Sequence, residues 1–327
     1  MSRDRWHVRR FVLLGLALIS GCIGARTYEQ TYLHASDNWR FRARYPEADH
    51  LFNGFDYGHA ILSETLLRDP AGRNLDGRVF RHVTQDVLRH PPSVPLEERA
   101  IAPEYATLLP EVVAMFEWAH MLHRQLYDVL SDTRIAPDAR AKRVAQMLAY
   151  YRSRPDLALS ALPKSMELME GQPYSLKFRR ESPRYNGLIW SYHWLQMVVY
   201  EALLASDARE ARRQDIDGAL AHFWVMIDDS SAAPSVMPMS AAIAPNFTER
   251  YPDAAIVFDN LHALHDVISD ILASGTMTRP EKRRVALTAA ARYRDATTAV
   301  TTQGEWIEMS RMMGVDKMGG ILKSPGT

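Results

Sequence analysis

From about residue 52 onward the apolar positions recur every three or four residues, the spacing of helices that bury one face. The pattern predicts a first helix over 51–69, stopped by Pro70, and a second over 76–90, closed by Pro91 and Pro92. A proline-punctuated connection, 91–110, leads into a helix over 111–132, and the next, over 137–154, carries Pro137 in its first turn. Residues 155–183 contain four prolines and predict an irregular excursion with one short helix at 164–170. Helices are expected over 185–206, 207–229, 253–275, 278–300 and 304–313, with a small-residue loop at 230–250 and a Gly-rich tail. Thr278, with Glu281 three residues on, forms a capping box. No stretch alternates as a half-buried strand does, and no repeat of short fixed period is found. The expectation is an all-α fold: antiparallel helical hairpins in a bundle, with one irregular proline-rich excursion.

Polar residues interrupt four of the apolar seams. Steps of three and four give Phe52, Phe55, His59, Leu62 and Leu66 in the first helix, and Val113, Phe116, His120, His123, Tyr127 and Leu130 in the third. The same stepping gives Trp190, His193, Met197, Tyr200 and Leu204, and later Ala255, Phe258, His262, His265, Ser269 and Leu272. In that last helix a more apolar seam runs through Val257, Leu261, Leu264 and Ile268, so His262 and His265 flank it. Six of the twelve histidines therefore stand at inward positions on four helices.

Three of them follow a carboxylate by three residues: Asp56 before His59, Glu117 before His120, Asp259 before His262. At that spacing both side chains share a helix face. A divalent transition metal wants carboxylate oxygen and neutral imidazole from several helices, and such pairs supply both. The element resembles the Glu-x-x-His unit of ferritin-like di-iron carboxylate proteins, within these short segments only. That resemblance implies a buried iron or other transition-metal centre, with His59, His120, His123, His193, His262 and His265 as ligands and Asp56, Glu117 and Asp259 bridging or orienting them. The sequence differs from the family in having two Asp among the three carboxylates, and Glu64 and Glu201, the single-carboxylate candidates, lie off the histidine seams. Tyr57, Tyr127, Tyr192 and Trp118 would be the electron-transfer neighbours of a redox-active centre. Two other centres are compatible with composition: b-type haem between seam histidines, or copper(I) on Met237, Met239, Met309, Met312, Met313 and Met318. The competing reading is a non-catalytic helical scaffold or assembly protein whose histidines are satisfied core polar groups.

The N-terminus bears on location. Arg3, Arg5, Arg9 and Arg10 precede the apolar run Phe11–Ser20, which is too short for a comfortable membrane span, and residues 1–21 read as a signal peptide. Ile19-Ser20-Gly21-Cys22 resembles the lipobox of bacterial lipoproteins. That resemblance implies cleavage before Cys22, lipid on its thiol, and, with Ile23 following, the periplasmic face of the outer membrane before the inner membrane. Cys22 is the only cysteine, so an acylated chain has no disulfide, thiolate metal site or cysteine nucleophile. Residues 22–50 read as an ordered leader or short helix, and 51–327 as one large helical domain, with 51–154 and 184–313 as two packed halves. Asn53-Gly54 ahead of His59 and Asn186-Gly187 ahead of His193 suggest that duplication, with offsets that differ by one residue. Without residues 1–21 there are 35 basic and 38 acidic residues, a balance that excludes a nucleic-acid partner and leaves the membrane and an envelope protein as expected partners.

Overall fold

A computed structural model describes residues 40–95 and 97–322. The expected signal peptide, 1–21, and the expected lipidation site at Cys22 lie outside the described residues. The architecture is all-α. Among the described residues the only β pairing is an isolated bridge between Lys164 and Val300, and no helix is long and apolar enough to cross a membrane.

Proline sets the corners of the chain. A proline excludes the α conformation from the residue before it, while its own fixed φ suits the first turn of a helix. Short helix α1 (Arg40–Arg44) breaks at Tyr45 and long helix α2 (Pro46–Arg68) begins at Pro46. The same break joins α3 (Glu98–Ile101), α4 (Pro103–Leu108) and long α5 (Pro110–Ser131), which is followed by α6 (Pro137–Arg152). After α7 (Glu167–Glu170), α8 (Lys177–Glu181) breaks into long α9 (Pro183–Ala205), followed by α10 (Arg209–Asp228). Then α11 (Ser240–Ile243), α12 (Pro245–Arg250) and long α13 (Pro252–Leu272) repeat the pattern, ahead of α14 (Arg279–Arg294) and α15 (Gln303–Met313). Tyr45, Ala102, Leu109, Ser182, Ala244 and Tyr251, the residues before these prolines, share one conformation, with φ between −137° and −121° and ψ between 51° and 67°.

These helices begin without a side-chain cap of their own, so the N–H groups of their first turns need partners. Buried carboxylates on neighbouring elements supply them. Glu64 accepts from Glu104 N–H and Tyr105 N–H at 3.3 and 2.9 Å, and Glu201 accepts from Asn246 N–H and Phe247 N–H at 3.3 and 3.1 Å. Glu117 accepts from Glu98 N–H at 3.1 Å, and Asp259 from Ser240 N–H at 3.0 Å. Asp128 accepts from Phe41 N–H at 2.8 Å, and Asp270 from Leu176 N–H and Phe178 N–H at 2.8 and 2.9 Å.

These pairs expose an internal repeat. Helices α1 and α2 recur as α8 and α9 displaced by 137 residues, and α3, α4 and α6 recur as α11, α12 and α14 displaced by 142. The carboxylates obey the same offsets: Glu64 and Glu201 are 137 apart, and Glu117 and Asp259, like Asp128 and Asp270, are 142 apart. The register is not the one the Asn-Gly pairs suggest, since the 137-residue offset places Asn186 opposite Asp49. The repeat also begins earlier than residue 51. Residues 40–50, expected as an ordered leader or short helix, are helical on either side of Tyr45, where Phe41 and Tyr45 are buried and Asp128 holds the first turn.

Both halves share one core running from Phe41 to Met318. The basic stripe of α14, which reads as a solvated face, ties the halves together through Arg279–Glu104 at 2.7 Å and Arg283–Glu111 at 2.6 Å. The segment expected as an α-helix over 76–90 winds more loosely, as π-helical turns Leu75–Val79 and His82–Val87. Its buried apolar positions, Leu75, Phe80, Val83 and Leu88, include two gaps of five residues, the repeat of a π-helical turn, and Asp76 holds the turn to the first N–H groups of α9.

Glu201→Ala leaves the buried Phe247 N–H without its acceptor and is expected to lower unfolding free energy by about 1–3 kcal/mol in urea titration. Arg283→Ala, on an exposed ion pair, is expected to cost under about 1 kcal/mol in the same assay.

Candidate functional site

Long helices α2, α5, α9 and α13 meet in the core, and the six seam histidines meet with them. Each is at most 8 % exposed. His193 lies flat on His262 with ring centres 4.0 Å apart, and His59 meets His265 edge-on at 4.4 Å. His59 and His193 are 5.3 Å apart, His120 and His265 5.5 Å, and His123 and His262 5.9 Å. Phe258 stacks on His123 at 3.5 Å and Phe116 on His265 at 3.8 Å, which is van der Waals contact and leaves no slot for a macrocycle between those rings.

The hydrogen bonds fix three tautomers. His59 donates from Nδ1 to the Phe55 carbonyl at 2.9 Å, so its Nε2 accepts, and His193 donates to it from Nε2 at 3.2 Å. Tyr200 donates its hydroxyl to the His123 carbonyl at 3.0 Å and accepts from His123 Nδ1 at 2.9 Å, which leaves His123 Nε2 a bare acceptor. Among the described residues, His123 Nε2, His193 Nδ1, both ring nitrogens of His262 and His265 Nε2 have no hydrogen-bond partner. Each such atom costs about 1–3 kcal/mol when buried, so five in one cluster is an expensive arrangement.

Burial keeps these rings neutral. Desolvation, with the neighbouring His120 adding to it, pulls His59 down to about 4, and desolvation with the Arg124 charge pulls His120 to about 3. Burial likewise holds His123, His193, His262 and His265 well below the ordinary value, helped by the other imidazoles.

The carboxylates of the three carboxylate-x-x-histidine units do not serve the histidines that follow them. Asp259 gives its oxygens to Ser240 and to Trp306 Nε1, the latter at 2.9 Å, and burial pushes it up to about 7. Glu117, pushed up to about 7 by burial and by Glu97, turns to α3. Asp56 alone stays at the cluster, 2.8 Å from Arg124 and 3.6 Å from Nδ1 of His120, a histidine of another helix. Of the electron-transfer candidates, Tyr192 packs on His59 and Tyr127 stacks on Tyr200, whereas Trp118 donates to the Tyr151 carbonyl on α6. Tyr57 is only partly buried. Met237, Met239 and Met318 are core residues, while Met312 is 74 % exposed.

Sequence spacing misses Arg124 and Asp266. Arg124 links Asp56 to Asp49, and Asp266, pushed up to about 7 by burial against the pull of Arg179, accepts from Trp190 Nε1 at 2.9 Å. Each stands next in sequence to a seam histidine, His123 or His265, and adjacency is the only sequence signal they offer. Gly58 is required locally: a Cβ there would lie 2.8 Å from the Tyr192 hydroxyl, the ring that covers His59.

The histidines make stability depend on pH with a definite sign. Their folded pKa values lie below the unfolded value, so the unfolded chain binds more protons and stability falls as pH drops from about 6.5. His262→Phe keeps a flat ring on His193 and removes one such group. In chelator-treated protein its unfolding free energy is expected to gain on the wild type by about 1.4 kcal/mol per pH unit below pH 6.5, measured by denaturant titration. Parallel profiles for the two proteins would contradict the neutral-imidazole assignment.

No protein-family model, no curated protein and no solved structure matches this chain.

Proposed function

We propose that the histidine cluster binds a transition-metal ion, iron first among the candidates, in a lipoprotein held on the bacterial envelope through Cys22 and facing the periplasm. The pair His59–His193 carries this reading. His193 Nε2 donates to His59 Nε2 across 3.2 Å, and His59 has its Nδ1 proton committed to a carbonyl, so an ion would take the place of the shared proton, with His193 protonated at its bare Nδ1 instead. With metal–nitrogen bonds of about 2.1 Å, neighbouring ligand nitrogens stand about 3.0 Å apart on an octahedral ion and about 3.4 Å apart on a tetrahedral one. The observed separation falls between these. A carbonyl behind Nδ1 is also the usual support of a metal-bound imidazole, because it fixes the tautomer and aims the ring.

Among the described residues, no three His, Asp or Glu side chains already surround one point as a metal cluster. The pair therefore supplies two donors in place, and His265 and His262, against His59 and His193, are the adjacent donors with bare nitrogens. Imidazole suits iron, zinc, copper and nickel, and the ferritin-like resemblance of the carboxylate-x-x-histidine units puts iron first. A bound iron would supply one-electron or oxygen chemistry, while this chain would keep the site dry and the ligands neutral.

A second reading, a helical scaffold with neutral histidines as core rings, draws on the carboxylates. Glu117 and Asp259 are committed to helix starts, as structural groups are.

Metal analysis of untagged protein after anaerobic reconstitution with iron(II) or cobalt(II) separates the two readings. About one ion per chain is expected, with His193→Gln losing it and Glu117→Gln keeping it while losing stability. No stoichiometric metal, together with a melting temperature indifferent to metal and chelator, would favour the scaffold.

A further inference from the structure

At the proline corner between α8 and α9, a cleft of 580 Å³ opens between these helices and the loop at 230–236. Its size is within the range of small-molecule sites. The lining is mixed. Leu176, Leu188 and Val236 give it apolar wall, while Arg179, Arg180 and Arg184 face a single acidic residue, Glu170. Gly187 lets the opposite loop come close, since a Cβ there would lie 3.2 Å from that of Ala233.

Two of the lining side chains are nine-tenths buried and incompletely paired. Arg179 is 6 % exposed and donates from Nη2 to Asp270 at 2.7 Å, yet its Nε and Nη1 have no hydrogen-bond partner among the described residues. Its Nη1 stands 3.5 Å from Glu170, an ion-pair distance without a hydrogen bond. Asn186, 5 % exposed, has a bare Oδ1. Strain marks the same wall. Leu176 is held at φ +66°, a left-handed conformation that costs a non-glycine residue on the order of 1 kcal/mol or more, by the bond from its N–H to Asp270. The Arg179 guanidinium, held by Asp270 and the Met169 carbonyl and facing Glu170, keeps two N–H groups without a hydrogen bond beside a strained turn at the edge of an open cleft.

We propose that this cleft binds a small amphiphilic organic anion. Its oxyanion head pairs with Arg179 and Arg180, and its apolar body lies along Leu176, Leu188 and Val236. The mixed lining selects this class: a bare inorganic anion would leave the apolar wall wet, and an uncharged lipid would leave the arginines unmatched. Trp190 also lines the cleft and hydrogen-bonds Asp266, and occupancy of the cleft does not depend on a metal at the histidines.

Calorimetric titration of the full chain with sodium decanoate tests the proposal, with decanol and inorganic phosphate as controls. Saturable binding of about one decanoate per chain is expected, at least about tenfold tighter than decanol, with none of phosphate alone. Arg180→Glu, at an exposed position, is expected to weaken decanoate binding about tenfold, and Ser235→Trp, also exposed, to block it by filling the cleft. Both variants leave the core untouched, and unchanged melting confirms their fold. Absence of decanoate binding, decanol binding as tightly, or binding indifferent to both substitutions would overturn it.

Discussion

Buried carboxylates that cap another element's first turn are the constraint on which the rest of this fold rests. A proline corner breaks the helix sharply, but it leaves N–H groups in the core with no side-chain cap of their own. Glu64 and Glu201 answer that need at α4 and α12, while Asp128, Glu117, Asp270 and Asp259 hold the starts of α1, α3, α8 and α11, the short helices that lead into the corners. Each bond joins residues between 19 and 94 positions apart, so it acts as a tertiary clamp as well as a cap. Together the clamps set where α2, α5, α9 and α13 stand, and therefore where their inner faces meet.

What meets there follows from the clamps. With Glu117 and Asp259 bound at helix starts, the centre holds mostly imidazole, with Asp56 and its Arg124 partner beside His120. Desolvation dominates such a site. It strips protons from the histidines and drives them onto Glu117, Asp259 and Asp266, the reverse of the order in water. A core with neutral rings, bare ring nitrogens and little nearby negative charge is poorly explained as packing alone. It has the chemistry of a nitrogen-donor pocket.

The fold class, the helix order and the four histidine seams are legible in the sequence, because 3.6-residue periodicity and proline punctuation are local signals. The use of the carboxylates is not. An acid three residues before a histidine suggests a partnership within one turn, yet Asp56 reaches a histidine on α5, and Asp259 reaches Ser240 and Trp306. Those partners are fixed by how helices cross, and spacing along one helix is silent on that. The repeat is hidden for a related reason. Asn-Gly pairs are common enough to mislead, whereas Ala-Pro followed by proline seven residues on, at Ala102-Pro103–Pro110 and again at Ala244-Pro245–Pro252, marks the true register. Arg124 and Asp266 matter through contacts made across the bundle, and no pattern on their own helices announces them.

The central claim is that His59 and His193 share an ion through Nε2. X-ray absorption at the metal edge of reconstituted protein tests it most directly. The account predicts a first shell of nitrogen at about 2.1 Å with the outer-shell scattering of at least two imidazoles, reduced when His193 is replaced. A shell of oxygen alone, or one unchanged in the His193 variant, would contradict it.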